Sequence, residues 1–178
     1  MTGGSRSIGQ AIALGIAREG ADVVVNYRQD RAAAERTAAA IRELGRRTAV
    51  VQGDTSVRAD VDRLVAEAIE ALGAIDLLVN NAGVLKRTPL LEIEEAEWDW
   101  ILDTNLKGYF LVGQAEARHM VDRGIAGAII NTSSAGQFVA APNLTHYCVA
   151  KASIEMLTKQ LALELAPIGS GSTRSAPG

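Results

Sequence analysis

Tyr147 and Lys151 stand four positions apart in Tyr147-Cys148-Val149-Ala150-Lys151, a spacing that brings both side chains to one face of a helix. A phenol is a poor acid–base catalyst near neutral pH; a neighbouring ammonium stabilises the phenolate and brings the group toward a useful range. Upstream, Asn131-Thr132-Ser133-Ser134 offers hydroxyls. The one on Ser134 can donate a hydrogen bond to a carbonyl oxygen on which negative charge develops. At the other end of the chain, Thr2-Gly3-Gly4-Ser5-Arg6-Ser7-Ile8-Gly9 runs straight into a helical pattern. Glycines there let backbone N–H groups approach a pyrophosphate, and a helix N-terminus favours its charge. The same residues are also ordinary capping chemistry.

These groups need a scaffold, and the hydrophobic pattern supplies one. Val23–Val25, Ala49–Val51, Ile75–Val79 and Ala128–Ile130 are short, continuous apolar runs, as expected of parallel strands covered on both faces. Helical patterns lie between them. Ile8, Ile12 and Ile16 recur every four residues, and Val57, Val61, Leu64, Val65, Ala68, Ile69 and Leu72 form one stripe. Gly20, Gly45 and Gly73 each follow a helical stretch, where a residue that tolerates positive φ is wanted. Strand and helix in strict alternation predict an α/β fold, a doubly wound parallel sheet of Rossmann-like type.

Five motifs, in order across residues 2–167, resemble those of the short-chain dehydrogenase/reductase family. Gly3 and Gly9 match its Thr-Gly-x-x-x-Gly-x-Gly turn, and Asn80-Asn81-Ala82-Gly83 matches its Asn-Asn-Ala-Gly motif. Asn105, in Asn105-Leu106-Lys107-Gly108, matches the family's catalytic asparagine. Ser134 lies thirteen positions before Tyr147, the family's usual spacing for the catalytic serine, so it is preferred to Ser133. Tyr147 and Lys151 match the Tyr-x-x-x-Lys motif. The resemblance implies an oxidoreductase in which hydride reaches a carbonyl carbon while Tyr147 protonates the oxygen. It further implies that Lys151 holds the nicotinamide ribose and that Asn105 orders a water in a proton relay. Singly, each residue has a structural alternative: a packing tyrosine, a solvated lysine, turn-forming asparagines, loop serines.

The expected cofactor contacts are Gly3, Ser5, Arg6, Ser7, Ile8, Gly9, Tyr27, Arg28, Asp54, Asn81, Ala82, Gly83, Tyr147 and Lys151. An NAD-preferring domain carries a carboxylate after its second strand for the ribose 2′-OH. Here Val25-Asn26-Tyr27-Arg28 has none until Asp30, and Arg28 and Arg6 suit a 2′-phosphate, so NADP is expected, with NAD possible. Asp54 resembles the family's adenine-contacting aspartate; capping of the next helix is its alternative, with Ser56 closer to that job. The resemblance is nearest the 3-oxoacyl-(acyl-carrier-protein) reductase and glucose dehydrogenase-like group. A 3-oxoacyl thioester is therefore the first substrate expectation, followed by a sugar, polyol or other ketone. Phe138, Val139, Ala140 and Ala141 suggest an apolar wall.

The chain departs from the family pattern in three places. Ser7 replaces the middle glycine of the turn. The family's first strand, central in the sheet, would precede Thr2; its absence would leave two half-sheets with unpaired inner edges. Met1 occupies a valine position, which suggests a GTG codon taken as the start. After Gly169 the family continues Ile-Arg-Val-Asn-Ala-Ile, whereas this chain reads Ser170-Gly171-Ser172-Thr173-Arg174-Ser175. Reading ATC CGG GTC AAC GCG ATC one base late yields those residues, which suggests a frameshift; a disordered Gly/Ser-rich tail is the alternative. The expected organisation is thus an incomplete domain over 1–169 and an aberrant or disordered tail over 170–178. The second functional reading follows: a non-catalytic remnant that associates through its helices.

Composition is compatible with all of this. A net charge of −3 gives no reason to expect nucleic acid or an anionic membrane as partner. The lone Cys148 cannot form an internal disulfide, no metal site is signalled, and no apolar run approaches the ~18 residues of a membrane helix. A cytoplasmic location is expected. So is a homodimer or homotetramer, because family members commonly pair through the two long helices that here would cover about Glu97–Val121 and Tyr147–Leu165.

Overall fold

A computed structural model describes residues 1–166 and 174–176. Along them run β1 (Val23–Tyr27), β2 (Thr48–Gln52), β3 (Leu77–Asn80), β4 (Ala128–Thr132) and β5 (Arg174–Ala176). The helices are α1 (Ser7–Arg18), α2 (Arg31–Glu43), α3 (Arg58–Leu72), α4 (Glu95–Leu102), α5 (Gly108–Arg123) and α6 (Thr145–Leu165). Strand pairing is parallel throughout, as βαβ crossovers require. The four apolar runs become β1 to β4, and Gly20, Gly45 and Gly73 adopt φ of +98°, +75° and +89° after α1, α2 and α3.

Two sheets form, β1–β2 and β3–β4–β5. Among the described residues, Met1–Gly4 bridges β1 and β3. The Met1 ammonium donates to the Val24 carbonyl at 3.1 Å, and Asn26 N–H donates to the Met1 carbonyl at 3.1 Å. Gly4 N–H donates to Asn26 at 3.0 Å, and on the other side Thr2 N–H donates to Val79 at 3.0 Å. Met1–Gly4 thus stands at the C-terminal end of the expected central strand position, giving the order β2–β1–gap–β3–β4–β5. The rest of the gap is a cavity walled by Ile16, Leu64, Leu72, Ile75 and Glu116. Glu116 is 4% exposed, and its Oε2 is buried with no hydrogen-bond partner. Burial raises its carboxyl to about 7, against a smaller opposite pull from the Met1 ammonium. Of the tail at 170–178, Arg174–Ala176 forms β5, paired with Ile130–Thr132; residues 170–173 and 177–178 lie outside the described residues.

One helical expectation is corrected. In α1 it is Gly9, Ala13 and Ala17 that are buried, while Ile8 is 55% exposed and Ile12 and Ile16 are half-buried. Small residues let α1 sit close to β1, where Ala13 and Ala17 join Val23, Val25, Tyr27 and Ile41 in one core cluster. The stripe on α3 holds at Val61, Leu64, Val65 and Ala68, but Val57 is its exposed N-cap, 47% accessible.

Candidate active site

The Gly-rich turn closes on itself through contacts that leave no room for side chains. Gly3 sits at φ +60° with an ideal Cβ 3.0 Å from Ala82 Cα, and a Cβ on Gly9 would lie 2.1 Å from the Gly3 carbonyl oxygen. Ser7, where the family has glycine, takes φ +49° at the first residue of α1. This is a left-handed conformation that costs a non-glycine residue about 1 kcal/mol or more. The turn is fastened to the end of β3. Thr2 Oγ1 accepts from Asn81 N–H at 2.9 Å and Ala82 N–H at 3.1 Å, and Asn81 Nδ2 donates to the Thr2 and Gly3 carbonyls.

Gly3, Ser5, Arg6, Ser7, Ile8, Gly9, Tyr27, Arg28, Asp54, Asn81, Ala82 and Gly83 all line one cleft at this edge. Its shape fits a dinucleotide: glycine backbone at the N-terminus of α1, cations at Arg6 and Arg28, and a floor without side chains at Gly3 and Gly83. Two of these residues also have partners within the fold. Tyr27 is 6% exposed and packs its side chain in the α1 core. Arg28 lies 3.6 Å from Asp54, pairing the expected phosphate-binding cation with the expected adenine contact. Asp54 does not cap α3. Its Oδ1 accepts from Ser56 N–H at 2.9 Å and Ser56 Oγ at 2.6 Å, a local turn, and Val57 is the N-cap without a side-chain bond. Asp30 caps α2, accepting from Ala33 N–H at 2.8 Å.

The acid–base candidates Ser134, Tyr147, Lys151 and Asn105 do not line this cleft, but its Gly83 adjoins Asn105 and Lys151. Tyr147 and Lys151 share one face of α6, with Lys151 Nζ 5.9 Å from the Tyr147 ring centroid. Lys151 is 4% exposed, and burial lowers its ammonium from 10.5 to about 8. Its Nζ donates to the Thr132 carbonyl at 2.9 Å. Ser133 and Ser134 have different jobs: Ser133 is buried, with Oγ donating to the Lys151 carbonyl at 3.0 Å. Ser134 Oγ accepts from Gly136 N–H at 3.2 Å, which leaves its own proton to donate. Asn105 lies in a π-helical turn, Asp103–Lys107, between α4 and α5. Such turns commonly mark functional sites. Its Nδ2 donates to the Val84 and Ile101 carbonyls, both at 2.9 Å, and its Oδ1 accepts from Val84 N–H at 3.1 Å. Gly83 makes this possible, because a Cβ there would lie 2.8 Å from Asn105 Oδ1 and 3.9 Å from Lys151 Nζ.

Several supporting residues escaped the sequence reading. Asn26 holds the turn by accepting from Gly3 N–H at 3.3 Å and donating to Gly53 at 3.1 Å; a lone amide inside Val-Val-Val-Asn-Tyr was the available signal. Asn80 donates to Asn131 Oδ1 at 2.9 Å, and Asn131 donates to Thr158 Oγ1 at 2.9 Å, tying β3 and β4 to α6. Glu97, from α4, accepts from Lys86, Thr88 and His146, which hold its carboxyl down at about 2. His146 Nδ1 in turn accepts from Tyr147 N–H at 3.0 Å, which places the ring proton on Nε2, toward Glu97. Nothing in the sequence spacing links residues 86, 88, 97 and 146. Among the described residues no helix is long and apolar enough to cross a membrane, and no cluster of three His, Cys, Asp or Glu side chains is arranged for a metal ion.

Comparison with known proteins agrees with the geometry. The sequence profile of the short chain dehydrogenase family matches residues 1–174. The 3beta-hydroxysteroid dehydrogenase 1 of Eggerthella lenta is 39% identical over 178 residues, which cover all of this chain and 68% of that protein. The 3-oxoacyl-(acyl-carrier-protein) reductase FabG of Staphylococcus aureus is also 39% identical over 178 residues, covering all of this chain and 72% of that one. A solved short-chain type dehydrogenase/reductase from Mycobacterium marinum superposes with a TM-score of 0.91 at 36% identity, covering 95% of this chain and 69% of that chain. The chain belongs to the short-chain dehydrogenase/reductase family of oxidoreductases.

Proposed function

We propose that the cleft takes NADP(H) and that Ser134, Tyr147, Lys151 and Asn105 reduce a carbonyl, or oxidise a secondary alcohol, beside its Gly83. The observation that carries this is the side-chain-free floor at Gly3 and Gly83, with a buried ammonium adjoining Gly83 and a phenol beside that ammonium. Reduced nicotinamide, when bound, supplies the hydride that ends on the carbonyl carbon. Ser134 donates a hydrogen bond to the carbonyl oxygen as charge develops there. Tyr147 gives its phenolic proton to that oxygen, and Lys151 stabilises the phenolate left behind. The side-chain amide of Asn105 is spent on Val84 and Ile101, so a relay water would be held by the second lone pair of Oδ1 or by backbone.

Two features favour NADP over NAD. Asp30, the first carboxylate after β1, is engaged as the α2 cap, and the Arg28 side chain remains 44% exposed despite Asp54. Phe138 and Val139, 70% and 65% exposed and following Ser134 by four and five positions, supply apolar surface suited to an acyl chain. A 3-oxoacyl thioester is the first substrate. A hydroxysteroid is the second reading, favoured by the same apolar surface and by the relative from Eggerthella lenta. Phe110, Met156 and Leu163, 42%, 57% and 70% exposed on α5 and α6, suit burial in a homodimer or homotetramer. The single unpaired Cys148 fits a cytoplasmic setting.

Calorimetric titration of the purified 178-residue chain with NADPH and NADH tests the cofactor half of this reading. Saturable binding that favours NADPH, weakened about tenfold by Arg28→Ala, supports it; tenfold corresponds to ~1.4 kcal/mol. Equal affinity for the two nucleotides removes the NADP preference. A folded chain that binds neither is the helix-associating remnant instead.

A further inference from the structure

Lys151 has a second phenol beneath it. Tyr109, the second residue of α5, is 1% exposed, and its ring centroid lies 5.0 Å from Lys151 Nζ, closer than the 5.9 Å to Tyr147. The Tyr109 hydroxyl donates to the Thr132 carbonyl at 3.1 Å and accepts from Lys151 Nζ at 3.3 Å. Lys151 also reaches Thr132 O at 2.9 Å, so hydroxyl, ammonium and carbonyl close a triangle. Both ends of Tyr109 are fixed, because its own carbonyl accepts from Asn80 Nδ2 at 3.3 Å on β3. It also lies two residues beyond the π-helical turn that presents Asn105.

An ammonium has three donors. Here two are spent, on Tyr109 and Thr132, and one remains. The groups that face Lys151 are Tyr109 from α5, Tyr147 from its own helix, the Thr132 carbonyl from β4, and Gly83, whose Cβ position is 3.9 Å away. Burial, with no charged neighbour, is what perturbs it. A buried ammonium without acceptors would discharge or swing outward. Here Tyr109 and Thr132 supply two acceptors. Burial pushes the Tyr109 phenol upward, so it stays a neutral hydroxyl that accepts from Lys151 and donates to Thr132.

We propose that Tyr109 is a positioning residue for the reaction: its hydroxyl, wedged between Thr132 O and Lys151 Nζ, holds the ammonium charged and in place. It thereby reserves one N–H for the cofactor ribose or the relay water. The role rests on the oxidoreductase reading above, and acts through Lys151 rather than on substrate.

Lysine-labelled NMR on the full 178-residue chain reads the contact directly, with the Lys151 signal identified by its loss in Lys151→Arg. Tyr109→Phe keeps the ring and removes the hydroxyl. The expected result is a Lys151 titration midpoint lowered by about one pH unit, with little change in melting temperature; one unit is the size of a modest hydrogen bond to a charged group. An unchanged midpoint overturns the proposal, and so does a loss of stability with no shift. A measurement without any variant guards against a misfolded one: the Tyr109 ring carbon bearing the hydroxyl should shift through the Lys151 midpoint without ionising. A flat signal there overturns the proposal too. Where the chain turns over, Tyr109→Phe should lower kcat about tenfold at pH 7 and leave KM within about twofold. A chain that shows the coupled titration but transfers no hydride refutes the oxidoreductase reading, not the Tyr109–Lys151 contact.

Discussion

Glu116 offers the most quantitative test of how the two sheets meet. It projects from α5 into the gap between β1 and β3, 4% exposed, with one carboxylate oxygen unpartnered. Its carboxyl is raised from 4.5 to about 7 in the fold. Between those values the folded chain holds a proton that the unfolded chain has released, so stability falls as pH rises through this window. The full effect is about 3 kcal/mol, reached above pH ~7 and absent below pH ~4.5. Glu116→Gln keeps the shape and removes the ionisation. Urea unfolding at pH 5 and pH 8 should therefore find the variant close to wild type at the lower pH and about 2–3 kcal/mol more stable at the higher. A difference independent of pH, or a variant less stable at pH 8, would refute the reasoning. It would mean that the gap is wet enough to solvate the charge.

Two further outcomes follow from the site. Gly9→Ala drives a Cβ to within 2.1 Å of the Gly3 carbonyl oxygen, so it should cost about 2 kcal/mol or more in melting experiments and abolish nucleotide binding by calorimetry. Glu97, held down at about 2 by Lys86, Thr88 and His146, contributes stability that is present above pH ~4.5 and lost as pH falls through about 2. Glu97→Gln should accordingly be less stable than wild type at pH 7, with the gap closing toward pH 2 in acid-unfolding curves.

Strands β1 to β4 were legible because each contains a short apolar run, and the helix ends because Gly20, Gly45 and Gly73 carry positive φ; β5, Arg174–Ala176, has no such run. The candidate site residues were legible as motifs; twelve of the expected cofactor contacts line one cleft, whereas Tyr147 and Lys151 lie together on α6 outside its lining. What periodicity misreads is α1, where close approach to β1 selects Ala13 and Ala17 over the larger isoleucines. Pairings made in three dimensions were also hidden. Arg28 with Asp54, Glu97 with His146, and Tyr109 with Lys151 join residues that have no sequence spacing to betray them. Tyr109 reads as one more aromatic in an apolar stretch until β4 and α6 are packed against it.

The central claim is that Tyr147, Lys151 and Ser134 serve hydride transfer beside this cleft. It is tested most directly by following the loss of NADPH absorbance with a 3-oxoacyl thioester, comparing the chain with Tyr147→Phe. Turnover by the chain is expected, with a rate at least ~100-fold lower in the variant, which should still bind NADPH. Turnover that survives Tyr147→Phe, or NADPH binding without turnover across the carbonyl substrates named above, would contradict it.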